Sequence, residues 1–216
     1  MENMIIDNVK FYTEEVAKIN KNAEIIAVSK TIDPFFVNIA TRNGLKTIGE
    51  NRVQELLTKI NDYDCKNVHF IGHLQTNKVK SIIDKVSLIQ SVDSVKLASI
   101  IDGYAKNINI KKDILVQINV SNEDSKSGIN VENVDEIIQE IQTFENLNIR
   151  GFMTIPKNTN DYELEVDFDK MHQIFNRFTD FDILSMGMSR DFRLALKHGS
   201  TMVRIGSGIF KGPHPL

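Results

Sequence analysis

Cysteine is almost missing from this chain: Cys65 is the single one in 216 residues. That excludes an internal disulfide and a cysteine metal cluster, and Cys65 reads as a spectator in a polar loop. Long apolar runs are missing too, and none approaches the ~20 residues that a membrane helix needs. No lysine/arginine block dominates any segment and the net charge is −3, so nucleic acid is not an expected partner. Met1-Glu2-Asn3-Met4 is not a basic stretch leading into an apolar one, so no secretory signal is expected. His69, His73, His172, His198 and His214 are scattered, without a short-spaced ligand pair, so no metal site is expected. There is no Gly-x-Ser-x-Gly, phosphate-loop or dinucleotide fingerprint, and no internal repeat. These absences leave a cytoplasmic protein, with residues 1–216 read as one domain.

What is present is an ordinary globular composition, 41% apolar and 25% charged, arranged in alternation. Residues 5–20 carry apolar positions at Ile5, Val9, Tyr12, Val16 and Ile19, the spacing of an amphipathic helix. Ile25-Ile26-Ala27-Val28 then reads as a strand buried on both faces, ending in Ser29-Lys30-Thr31. Seven further strands are predicted at residues 45–49, 67–72, 86–92, 113–120, 149–155, 183–186 and 202–205. Helices are predicted between them at 34–42, 52–60, 74–83, 94–105, 131–144, 164–178 and 190–197. Strict β-then-α order implies a parallel sheet with right-handed crossovers. Eight units in a chain of this length point to an α/β protein built as one closed (β/α)8 TIM barrel, with an open doubly wound sheet as the rival. The sequence leaves no room for an eighth outer helix. The additional N-terminal helix is expected to cover that gap.

In a barrel the loops after the strands share one face, where ligands bind. The strand ends there carry Lys30, Asn51, His73, Asp93, Asn119, Thr154, Gly187-Met188-Ser189 and Gly206-Ser207-Gly208. A lysine at a strand end keeps its ammonium wet and its stem dry, which suits either a snorkelling surface residue or an amine that attacks a carbonyl. Ser189 is placed to cap the following helix, whose free N–H groups attract an anion. Gly206-Ser207-Gly208 allows close backbone approach to a ligand. Phosphate sites in such barrels lie at the loops after strands seven and eight. Arg204, inside the eighth strand, needs a carboxylate partner if structural and points inward at a ligand if functional. An amine and an anion cradle on one face suit a phosphorylated aldehyde bound as a Schiff base, and pyridoxal 5′-phosphate fits that description.

Several segments together resemble one family. They are Ala27-Val28-Ser29-Lys30-Thr31, Gly49-Glu50-Asn51-Arg52-Val53-Gln54-Glu55, and His69-Phe70-Ile71-Gly72-His73-Leu74-Gln75-Thr76-Asn77-Lys78. Ser127-Gly128-Ile129, Gly151-Phe152-Met153, Ser185-Met186-Gly187-Met188-Ser189 and Val203-Arg204-Ile205-Gly206-Ser207 complete the set. The set resembles the pyridoxal phosphate homeostasis proteins, the YggS/PROSC family. The resemblance implies an alanine-racemase-like barrel of fold type III that binds pyridoxal 5′-phosphate. It implies Lys30 as the Schiff-base lysine and Ser189, Gly206 and Ser207 as the phosphate cradle. Arg204 is implied to face the pyridine nitrogen, with Asn51 and Met186 lining the pocket. An arginine there keeps the ring nitrogen unprotonated, which weakens the ring as an electron sink. The implied role is to hold, buffer and deliver the cofactor, with pyridoxal phosphate-dependent apoenzymes as recipients and a monomer as the expected state. The alternative is an amino-acid racemase or a related fold-type III enzyme. Lys126 reads as a solvated loop lysine or a second cofactor-reactive amine. Ile209-Phe210-Lys211-Gly212 departs from the family's Ile-Phe-Gly, so the tail after Phe210 is expected to follow its own path.

Overall fold

A computed structural model describes residues 1–123, 127–157 and 159–212. Helix α1 (Glu2–Ile19) precedes β1 (Glu24–Val28), and α2 (Pro34–Arg42) leads to β2 (Thr47–Glu50). Then come α3 (Val53–Lys59), β3 (Val68–Phe70), α4 (Val79–Ile82), β4 (Leu88–Val92), α5 (Val95–Asn107) and β5 (Lys112–Asn119). A two-residue strand, β6 (Ile129–Asn130), is followed by α6 (Val134–Ile141), β7 (Leu147–Thr154), α7 (Asp161–Phe175) and β8 (Ile183–Met188). Helix α8 (Phe192–Lys197), β9 (Met202–Ile205) and the one-turn α9 (Ser207–Phe210) are the last elements among the described residues. No helix among the described residues is long and apolar enough to cross a membrane.

Local chemistry sets the starts of the longer helices. Asp33 accepts from the Phe35 N–H with Pro34 in the first turn of α2, Ser94 accepts from Leu97 in α5, and Asn160 accepts from Glu163 in α7. The fourth helix is shorter than the predicted 74–83. Residues 76–78 form a 3₁₀ turn, and only Val79–Ile82 are α-helical. Gln75, at the start, offers no side-chain cap.

The strands run in the order β4-β3-β2-β1-β9-β8-β7-β5, and a further β4–β5 pairing closes the ring. Every pairing is parallel, so the closed (β/α)8 barrel is the fold and the open sheet is excluded. The strand β6, not predicted, adds to the end of β5 outside the ring. Alternation along each strand separates two environments. Ile25, Ala27, Ile48, Phe70, Ile114, Phe152, Leu184 and Val203 join the large apolar layer under the helices. The interior holds a small apolar plug of Leu88, Leu115 and Met153, together with polar side chains.

The N-terminal helix packs against α2, α8 and α9. It buries Ile5, Val9, Tyr12 and Val16, each worth about 2 kcal/mol of transfer free energy. Asn8 Nδ2 donates to the Ile209 carbonyl at 3.0 Å. The Tyr12 ring meets Phe192 edge-on at 5.3 Å between centroids. A Cβ at position 208 would lie 2.1 Å from the Tyr12 hydroxyl oxygen, so α9 packs here only because residue 208 is glycine. The tail leaves α9 through Gly212 at φ 103°, and residues 213–216 lie outside the described residues.

Candidate functional site

The strand-end residues converge. A cavity of about 420 Å³ opens at the carboxyl end of the barrel, and Lys30, Asn51, Ser189, Arg204, Gly206 and Ser207 line it together. Lys30 is exposed at the mouth, one residue beyond the buried Ser29. Among the described residues its ammonium has no hydrogen-bond or ion-pair partner, so it is free to engage a ligand.

The far wall is the cradle. The Ser189 hydroxyl oxygen accepts from the backbone N–H groups of Gly206 and Gly208, both at 3.3 Å. Two main-chain donors thus converge on one oxygen, the arrangement that also holds an anionic oxygen. Ser189 does not cap the next helix as its sequence position implied. The residue at the start of α8 is Asp191, whose carboxylate accepts from the Met188 N–H at 2.5 Å. Burial raises the Asp191 pKa, and the Met188 N–H and the Arg204 charge oppose that rise.

Arg204 points into the barrel and is 4% exposed. No carboxylate pairs with it among the described residues, contrary to the structural alternative read from sequence. Its Nη1 donates to the Ser185 carbonyl at 2.9 Å and hydroxyl at 2.7 Å, and its Nη2 donates to the Thr154 carbonyl at 2.8 Å. Burial brings its pKa down to about 10, partly offset by the charge of Asp191, so the guanidinium stays protonated at neutral pH. The polar chain continues inward. Ser185 donates to Gln90 Oε1 at 2.7 Å, and Gln90 Nε2 lies 2.9 Å from His69 Nδ1. Of these partners Thr154 was expected from sequence, as the end of the sixth predicted strand, whereas Ser185, Gln90 and His69 were not read as facing inward. Polar residues in a strand give no sign of which face they occupy until register is known.

Asn51 carries an orphan: its Oδ1 is buried and has no hydrogen-bond partner. Such an atom costs roughly 1–3 kcal/mol unless a ligand or water satisfies it. Gly72 allows Asn51 this position, because a Cβ there would sit 2.1 Å from the Asn51 carbonyl oxygen. Met186 does not line the cavity. It is fully buried in the layer beneath the helices, and Met188 takes the place at the rim. The cause is a register shift between Ser185 and Met188, with Gly187 at φ 94°. Ile71, Ile155 and Arg190 also line the cavity and were not anticipated. Lys126 lies outside the described residues.

The alanine racemase N-terminal domain family model matches residues 4–213. The pyridoxal phosphate homeostasis protein of Aquifex aeolicus is 36% identical over 215 residues, covering 95% of this chain and 94% of the relative. The chain belongs to the pyridoxal phosphate homeostasis protein family. Among solved structures, PipY of Synechococcus elongatus PCC7942 with pyridoxal phosphate bound superposes with a TM-score of 0.82 at 27% identity, covering 92% of this chain and 99% of PipY. An alanine racemase of Clostridium difficile 630 shares the fold at 18% identity and a TM-score of 0.76. It is covered for only 57% of its length, against 97% of this chain. The homeostasis family is thus matched along its length, and the racemase only through its barrel.

Proposed function

We propose that this chain, acting as one domain, holds pyridoxal 5′-phosphate in the cytoplasm as a Schiff base on Lys30. Its role is to buffer the cofactor and release it to pyridoxal phosphate-dependent apoenzymes, as a monomer. The observation that carries the reading is that a free amine, an anion cradle and a buried protonated arginine line one cavity. The family's name and the ligand in PipY support it. When bound, pyridoxal phosphate supplies an aldehyde that condenses with a primary amine, with loss of one water. On this chain Lys30 supplies the amine, and Ser189, Gly206 and Ser207 orient the phosphate. Arg204, which holds its own protons, would donate to the ring nitrogen, and Asn51, with its unpartnered Oδ1, would line the pocket around the cofactor.

An amino-acid racemase is the competing reading. That chemistry needs a second acid–base group opposite the lysine. Among the described lining residues there is no tyrosine, histidine, cysteine or carboxylate. Tyr12 is buried under α1, and Tyr162, on α7, is 76% exposed and outside the cavity. Borohydride reduction of cofactor-loaded protein followed by peptide mapping is expected to find the pyridoxyl group on Lys30. A label found solely on Lys126 overturns the assignment. Incubation with single amino-acid enantiomers in deuterated water is expected to give no steady α-hydrogen exchange, and exchange at enzyme-like rates would favour the racemase.

A further inference from the structure

Behind Lys30 lies a charged cluster that takes no part in the cavity. Ser29 is fully buried and donates its hydroxyl to Glu50 Oε1 at 2.8 Å. The Tyr63 hydroxyl, also buried, donates to the same oxygen at 2.5 Å. Lys59 Nζ donates to the Ser29 carbonyl at 3.1 Å and to Glu55 Oε2 at 3.2 Å, and lies 3.5 Å from Glu50 Oε1. Glu55 Oε2 in turn accepts from the Thr31 backbone N–H at 3.0 Å. Both neighbours of Lys30 are therefore fixed: Ser29 by Glu50, Tyr63 and Lys59, and Thr31 by Glu55.

The backbone they fix is strained. Thr31 has φ 61°, a left-handed conformation that a β-branched residue rarely adopts. A relaxed turn here would aim Lys30 differently. Strain of this kind persists only where surrounding contacts enforce it. Glu50 is an expensive enforcer, fully buried with Oε2 unpartnered. Stability alone gives no reason for a buried carboxylate and a strained threonine on the two sides of one lysine.

We propose that Glu50, Glu55, Lys59 and Tyr63 are positioning residues for Lys30. They preset the Ser29-Lys30-Thr31 turn so that the amine enters the cavity towards the cradle before any aldehyde arrives. The inference rests on Lys30 being the attachment site, and the experiment separates the two ideas. Cofactor-free full-length protein is mixed with pyridoxal phosphate. Borohydride quenching at intervals, with peptide mapping, reports both the site and the rate of capture. Competition by inorganic phosphate reports the cradle independently.

Glu55→Ala, which frees the Thr31 N–H, slows capture at Lys30 by about tenfold and leaves phosphate competition unchanged. Glu55→Gln, which keeps an acceptor for that N–H, restores most of the rate. Tyr63→Phe keeps the ring and removes only the hydroxyl, and slows capture by a smaller factor. It decides the matter if Glu55→Ala does not fold. Capture at the unaltered rate in the Glu55→Ala or Tyr63→Phe variant overturns the positioning role and leaves the Lys30 assignment intact. Loss of phosphate competition in step with the rate also overturns it, because the damage is then general. A pyridoxyl group absent from Lys30 in the unsubstituted protein overturns the assignment beneath it.

Discussion

Arg150 and Arg204 sit at opposite ends of the barrel and are treated in opposite ways. Arg150, near the amino-terminal rim, pairs with Asp182 at 2.5 Å and Asp113 at 2.8 Å, and these carboxylates raise its pKa. Arg204, near the carboxyl-terminal cavity, meets only neutral oxygens, and burial lowers its pKa. At one end the charge is neutralised within the protein. At the other a buried cation is left with charge to spare. That arrangement disfavours folding relative to a paired one, so its presence points to a ligand rather than to stability.

The contrast can be broken most directly at Arg204. Arg204→Gln leaves the Ser185 and Thr154 carbonyls short of donors and is expected to cost about 3 kcal/mol by denaturant unfolding. It should also alter the visible spectrum of bound cofactor, and an unchanged spectrum argues against contact with the ring. His69, at the inner end of the same polar chain, gives a pH test of similar size. Burial holds its pKa down to about 4, against an ordinary value of 6.5. The buried neutral ring therefore contributes stability that is complete above about pH 6.5 and is lost as pH falls towards 4, roughly 3 kcal/mol in all. Unfolding curves at neutral and mildly acidic pH measure it, and His69→Gln should flatten that part of the profile.

Arg150→Ala is the counterpart at the paired end. Its carboxylate partners are half exposed, so the expected loss is only about 1 kcal/mol, with cofactor capture unchanged. A capture defect there would erase the distinction between the two ends. Lys30→Ala should move stability least, within about 0.5 kcal/mol because the side chain is exposed, while abolishing borohydride-trapped attachment. A large stability loss would mean that Lys30 has a structural task that its surroundings do not reveal.

Legibility followed the range of the interactions involved. Lys30 was readable because a run of four apolar residues ends beside it, and Gly206-Ser207 because glycine spacing and strand order coincide there. Met186 and Met188 were not distinguishable, since residues two apart in a regular strand share a face and the bulge at Gly187, which sends them to opposite faces, leaves no mark in the pattern. Nothing in the sequence marked Glu50 and Tyr63 as partners. Their meeting depends on the 3₁₀ turn at residues 60–62, which carries Tyr63 back under β2.

The sequence by itself determined the alternation of strands and helices, the apolar outer layer, and the order in which the strand ends present their chemistry. These depend on periodicity and on residues close together in the chain. Only the tertiary structure decided which polar side chains face inward, which partners satisfy Arg204, and what holds Thr31 in its left-handed turn. Those outcomes depend on strand register and on contacts between residues 19 to 95 positions apart. A strand slipped by a single residue would send each side chain to the other face, and local sequence does not encode the partner that prevents the slip.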